Sequence, residues 1–97
     1  MINGKALVAE FLGTLFFLSI ILNVVGDATI GVFAIAIGLL AAIYFAGKVS
    51  GGHFNPAVSI MMYMKGKLPA DMTVLYIISQ IIGALSAILL NNYFVAI

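Results

Sequence analysis

The placing of seven charges limits the fold of this chain more than any other feature. They leave long stretches almost without charge: residues 6–26 hold only Glu10, while residues 28–47 and 72–97 hold none. At ~1.5 Å of rise per residue, a helix of about twenty residues covers ~30 Å, the thickness of a bilayer's hydrocarbon core. Each stretch therefore reads as a membrane-spanning helix, because a lone strand in lipid strands its own N–H and C=O groups. The third run is longer than a span requires, and Asn91 and Asn92 mark its exit, giving a span over 72–90.

The composition agrees. Charged residues make up 7% of the chain, against ~25% in an ordinary soluble domain, too few to cover a water-facing surface. A net charge of +1 gives no basic footprint for nucleic acid, and 65% apolar residues exclude a disordered tail. With no Cys, one His and no Arg, the chain lacks the groups for a disulfide framework, a metal site or acid–base catalysis. The sequence reads as one all-α membrane domain over residues 1–97, with no enzyme activity, metal or cofactor. Lys5 followed by an apolar run resembles a secretory leader, but that run exceeds an h-region of ~7–15 residues and no small-x-small site follows. An uncleaved span is the reading.

Between the second and third runs the pattern changes. Lys48 to Phe54 is polar and glycine-rich, too irregular to extend a helix. Asn55–Pro56 then pairs a favoured N-cap with a favoured first helical residue, so a helix starts at Pro56 and must end by Lys65–Gly66–Lys67. Its length is about half a bilayer. The loop and half-helix, residues 49–64, read as a re-entrant element that dips into the membrane and returns. Lys5, Lys48, Lys65 and Lys67 then share one face, with only Asp27 in the opposite turn, which places the N-terminus in the cytoplasm. Small residues recur every four positions (Ala34, Gly38, Ala42 and Ala46; Ser79, Gly83 and Ala87; Ala9 and Gly13) and predict close helix packing.

A half-helix whose N-terminus is buried brings unpaired N–H groups and the positive end of its dipole to mid-membrane. Asn55 can add its amide N–H₂ there, and Gly51 and Gly52 allow successive carbonyls to form a ladder of acceptors. Irregular backbone at that depth makes sense only if it is buried in protein or lines a watery path. Acceptors leading to a donor pair describe a pore for neutral, hydrogen-bonding molecules.

Ser50–Gly51–Gly52–His53–Phe54–Asn55–Pro56–Ala57–Val58 resembles the first signature of the aquaporin/glycerol-channel (major intrinsic protein) family. Ala9–Glu10–Phe11–Leu12–Gly13–Thr14 looks like that family's first-helix motif, and Gln80–Ile81–Ile82–Gly83–Ala84 like its third. The resemblance implies an aquaporin-like half of three transmembrane helices and one re-entrant half-helix, similar to the N-terminal of two inverted halves. It implies a passive channel for water and small neutral solutes, with Asn55, Pro56 and Ala57 at the constriction. Glu10 is then an acceptor for pore-loop N–H groups, and Gln80 an interhelical hydrogen-bonding residue. Aligned on the motif, Ile35, Gly52 and Val58 occupy the family's outer filter, and no arginine is available to join them. His53 reads as a structural loop residue in preference to a pH gate, Met61, Met62 and Met64 as packing, and Tyr44 and Phe45 as interfacial aromatics.

Three spans and one half-helix cannot enclose a pore, so a second half is needed. An antiparallel homodimer in the plasma membrane, which could gather into a tetramer of pores, is the simplest supply. The one-sided lysines argue against that pairing and leave open a separate partner chain or a chain cut from a longer gene, and a non-conducting structural subunit is the other reading.

Overall fold

The computed structural model describes residues 2–95; Met1, and Ala96 and Ile97 at the end of the third apolar run, lie outside the described residues. Four helices follow one another: α1 (Gly4–Val24), α2 (Ile30–Ser50), α3 (Pro56–Met64) and α4 (Ala70–Val95). Of these, α1, α2 and α4 are long and apolar enough to cross a membrane.

Local chemistry moves the ends of α1, α2 and α4 away from where charge alone puts them. α1 starts at Gly4 because the Asn3 side chain accepts from the Ala6 N–H at 3.2 Å, a cap that hydropathy does not register. Its C-terminal end is followed by Gly26 at φ +96° and by Asp27, whose Oδ1 accepts from the N–H groups of Thr29 and Ile30. These five residues of turn delay α2 to Ile30. At the other end α2 does not stop at residue 47 but runs through Lys48 and Val49 to Ser50, closed by Gly51 at φ +91° donating to the Gly47 carbonyl. The irregular stretch is therefore shorter than the polar composition suggests, 51–55 in place of 48–54. α4 continues through Asn91 and Asn92 to Val95, so any exit from lipid at those residues is a matter of depth along an unbroken helix.

α1 is the central element, packed against both α2 and α4, and α3 lies against α4. Several of the small residues mark these crossings. A Cβ on Gly83 would sit 2.8 Å from the Phe11 carbonyl oxygen, and one on Gly38 2.7 Å from Ile20 Cδ1. Ala42 and Ala87 are buried, whereas Ala9, Ala34, Ala46 and Ser79 are only half-buried. Burial is reversed relative to a soluble domain. The largest fully buried side chains are Gln80, Glu10, Thr14 and Ser59, while Phe33, Leu40, Phe45, Leu89 and many other apolar side chains face outward. A polar interior inside an apolar shell is stable where the solvent is hydrocarbon. The chain is a membrane protein.

Candidate functional site

The irregular segment after α2 is organised around one carboxyl group. Glu10 lies on α1, fully buried, and its two oxygens accept from four donors. Oε2 takes the Ser50 hydroxyl at 2.7 Å and the His53 N–H at 3.0 Å; Oε1 takes the Phe54 N–H at 2.8 Å and Gln80 Nε2 at 2.9 Å. These donors come from α2, from the loop and from α4, so a single residue on α1 ties three parts of the chain together. Each such bond to a carboxylate is worth roughly 1.5–3 kcal/mol, and stranding a buried partner costs a similar amount.

Further bonds extend the cluster. Gln80 Nε2 also donates to Ser59 Oγ at 2.9 Å, and Ser59 Oγ pairs with His53 Nδ1 at 2.9 Å. The Tyr76 hydroxyl donates to the Ser50 carbonyl at 2.6 Å, with its ring 5.0 Å from that of His53. Gly52 N–H donates to Ser50 Oγ at 3.2 Å. Phe54 is buried at φ +53°, an uncommon conformation for a residue with a side chain, and its ring occupies the space that a Cβ on Gly13 would need. Gly13 lies at the middle of α1, so the loop reaches half-way along the bundle before α3 turns back.

This anchoring fixes what the loop presents on its other side. In a trans peptide the C=O points opposite to the N–H of the next residue. With the N–H groups of His53 and Phe54 aimed at Glu10, the carbonyls of Gly52 and His53 are aimed away from it. Asn55, an exposed residue, caps α3 by accepting from Ala57 N–H at 2.8 Å through Oδ1, which leaves its amide N–H₂ out of the cap. Pro56, at the first helical position, has no N–H to satisfy. These carbonyls thus lie on the side of the loop turned from Glu10, next to the exposed Asn55.

The structure brings together Glu10, Gln80, Gly52, His53, Phe54 and Asn55, with Pro56 and Ala57 exposed beside the cap and Val58 half-buried in the first turn of α3. Gly51 closes α2. Ile35 stands apart: Gly52 lies against Ile43, and Ile35 is two turns further along α2, about 12 Å away. Sequence reasoning gave no role to Ser50, Ser59 or Tyr76. Tyr76 had a usable signal, being four residues before Gln80 and so on the same helix face. Ser50 and Ser59 had none, because their contacts depend on how the loop folds back. Among the described residues no group of three or more His, Cys, Asp or Glu could hold a metal.

A polytopic membrane protein with a hydrogen-bonding half-loop inside the bundle is the class that these features define. The family model for major intrinsic proteins matches residues 1–96, and the chain belongs to that family. It is 37% identical to probable aquaporin PIP2-7 of Oryza sativa subsp. japonica over an alignment covering 84% of this chain and 33% of that protein. It is 42% identical to glycerol uptake facilitator protein-like 6 of Lactiplantibacillus plantarum, covering 81% and 38%, and 38% identical to aquaporin NIP1-1 of Arabidopsis thaliana, covering 82% and 30%. The chain thus spans about a third of the length of the curated relatives it matches. No solved structure gives a significant match.

Proposed function

We propose that this chain forms one wall of a passive channel for water and small uncharged solutes. The observation that carries the reading is the two-sided loop: N–H groups bound inward to Glu10, carbonyls and the Asn55 amide presented outward at the middle of α1. A wall is not a tube, and Gly51, Asn55 and Ala57 stand exposed in the single chain. A second, inverted half completes the path, bringing a second half-helix N-terminus to the first. Another copy of the chain in antiparallel orientation supplies it most simply, and tetramers of such pores are compatible with it. The one-sided lysines speak instead for a second half of different sequence, on a partner chain or on a longer form of this one, with the N-terminus held in the cytoplasm and the membrane being the plasma membrane.

In the homodimer, Ile35 of one copy faces Gly52 and Val58 of the inverted copy at each outer mouth, without an arginine. Such an opening is wide and apolar, and it passes glycerol-, urea- or ammonia-sized molecules as well as water. Ion rejection rests on the paired half-helix dipoles and the two Asn55 amides at the centre. Stopped-flow light scattering of proteoliposomes under water, glycerol and urea gradients tests this. Flux at the level of empty liposomes, from protein with full helical content, would leave a structural subunit as the reading. The Asn55→Asp variant puts a carboxylate at the donor position and should admit cations or protons, read as collapse of an imposed potential. Mapping both termini in cells decides the pairing, since one orientation for every copy is incompatible with the antiparallel homodimer.

A further inference from the structure

Three of the four residues that lead into Asn55 adopt positive φ: Gly51 at +91°, Gly52 at +66° and Phe54 at +53°. Glycine takes this conformation without steric cost, whereas in Phe54 the Cβ crowds the following carbonyl. Backbone geometry alone therefore favours a third glycine at 54, and the contacts of the ring must offset the strain that a side chain brings there. Those contacts are made at both edges of the ring. Phe54 is 5% exposed, and its Cε1, Cζ and Cδ1 fill the space that a Cβ on Gly13 would take. At the opposite edge, Phe54 Cε2 lies 3.5 Å from where a Cβ on Gly52 would stand. The ring is thus seated between a notch in α1 and the loop's own backbone, while the Phe54 N–H is tied to Glu10 Oε1 at 2.8 Å.

The consequence falls on Asn55, the next residue. The bond to Glu10 sets the direction of the Phe54 N–H, and the seated ring sets how near to α1 the chain passes. A ring pushed off Gly13 carries Asn55 away from α1 and toward the exposed side, where the solute path lies on the channel reading. Close-packed contacts transmit such shifts, because protein interiors have low compressibility. We propose that Phe54, seated on Gly13, is the positioning residue that sets the width of the path at Asn55, and so the discrimination between water and larger neutral solutes. This role rests on the channel reading but belongs to residues that the solute never touches, since Gly13 and Phe54 are both buried.

Stopped-flow light scattering of proteoliposomes made from the full chain gives the ratio of glycerol to water permeability. Gly13→Ala should lower that ratio by about tenfold, the low end of what one methyl group changes in a close-fitting site. Phe54→Leu removes Cε1 and Cζ, slackens the loop and should raise the ratio. In the double variant the shorter side chain makes room for the added methyl, and the ratio should return toward the parent value. Gly38→Ala adds a methyl on α2 against Ile20 Cδ1, away from the loop, and should leave the ratio unchanged. Thermal unfolding in detergent follows the same set, and the double variant should lose less stability than the two single variants summed. Additive losses would overturn the inference, as would a Gly13→Ala protein whose water and glycerol fluxes fall in equal proportion, the result of losing folded protein alone. Should Gly13→Ala fail to fold, Phe54→Leu and the double variant still give the ratio. Parent flux at the level of empty liposomes overturns the channel reading and the role of Phe54 with it; parent flux with a ratio indifferent to both residues overturns this inference alone.

Discussion

The two ends of the bundle are held by opposite means. At the end carrying the loop, the interior is polar: Glu10, Ser50, Ser59 and Gln80 are buried and hydrogen-bonded to one another across sequence separations of 21–70 residues. Toward the Asp27 end the helices meet through small residues, Gly38 against Ile20 and a buried Ala87, with a five-residue turn between α1 and α2. Helices in lipid gain little from apolar burial, so close backbone approach suffices to associate them. A loop in lipid cannot be held that way, because every N–H and C=O it exposes needs a partner. The contrast shows that the buried polar side chains that bond to one another across the sequence gather where the backbone is irregular.

Removing the anchor should break the comparison most severely. Glu10→Leu leaves the His53 and Phe54 N–H groups buried without an acceptor, at ~1–3 kcal/mol each, so destabilisation of about 2–6 kcal/mol is expected. Thermal unfolding in detergent measures it, and solute flux should fall with it. A stability loss below that of a single surface substitution would mean that the Phe54–Gly13 contact and the His53–Ser59 bond hold the loop without Glu10. On the apolar side, Gly83→Leu forces a side chain against the Phe11 carbonyl and should cost about 1–3 kcal/mol, as overpacking does. Because α1 and α4 would separate, the same variant should speed proteolysis of the purified protein. A finer cut is Ser59→Ala, which removes one node but leaves Gln80 bonded to Glu10; ~1 kcal/mol is expected, with loop and flux preserved.

These two regions were not equally legible in the sequence. The regular part follows from charge spacing, since a bilayer demands three apolar runs of known length and α1, α2 and α4 answer to them. Gly38, Ala42, Gly83 and Ala87 were visible as a four-residue repeat and do meet neighbours, while Ala34 and Ala46 share the repeat without being buried. The starts of α1 and α2 lie two residues from where apolarity puts them, because Asn3 and Asp27 act through backbone capping, which an apolarity count does not contain. In the site, Glu10 stood out as a carboxylate costly to leave alone in lipid, and Asn55–Pro56 as a helix start. Ser50, Ser59 and Tyr76 did not stand out, because a hydroxyl in a membrane helix is common and only the folded loop gives it a partner.

The smallest effect belongs to the turn at the far end, where Asp27 is wholly exposed. Its Oδ1 accepts from the backbone N–H of Ile30 at 2.7 Å and of Thr29 at 2.9 Å, and the bond from Ile30 is the main reason its carboxyl is held below the ordinary carboxylate range. These bonds favour the ionised form at the positive end of α2. The unfolded chain, lacking them, binds its proton at the ordinary value of ~3.9. Between the two values the unfolded state holds more protons than the folded one, so stability rises with pH there. The contribution is complete above the unfolded value and disappears as pH falls through the lower, folded value. Asp27→Asn should therefore lower the unfolding temperature slightly at neutral pH and match the parent chain in strong acid. The Glu10 variant supplies the contrast, since its stranded N–H groups remain stranded at neutral pH and in acid. A neutral-pH unfolding temperature identical in Asp27→Asn and the parent would show that the Gly26 turn, without the carboxylate, sets the start of α2.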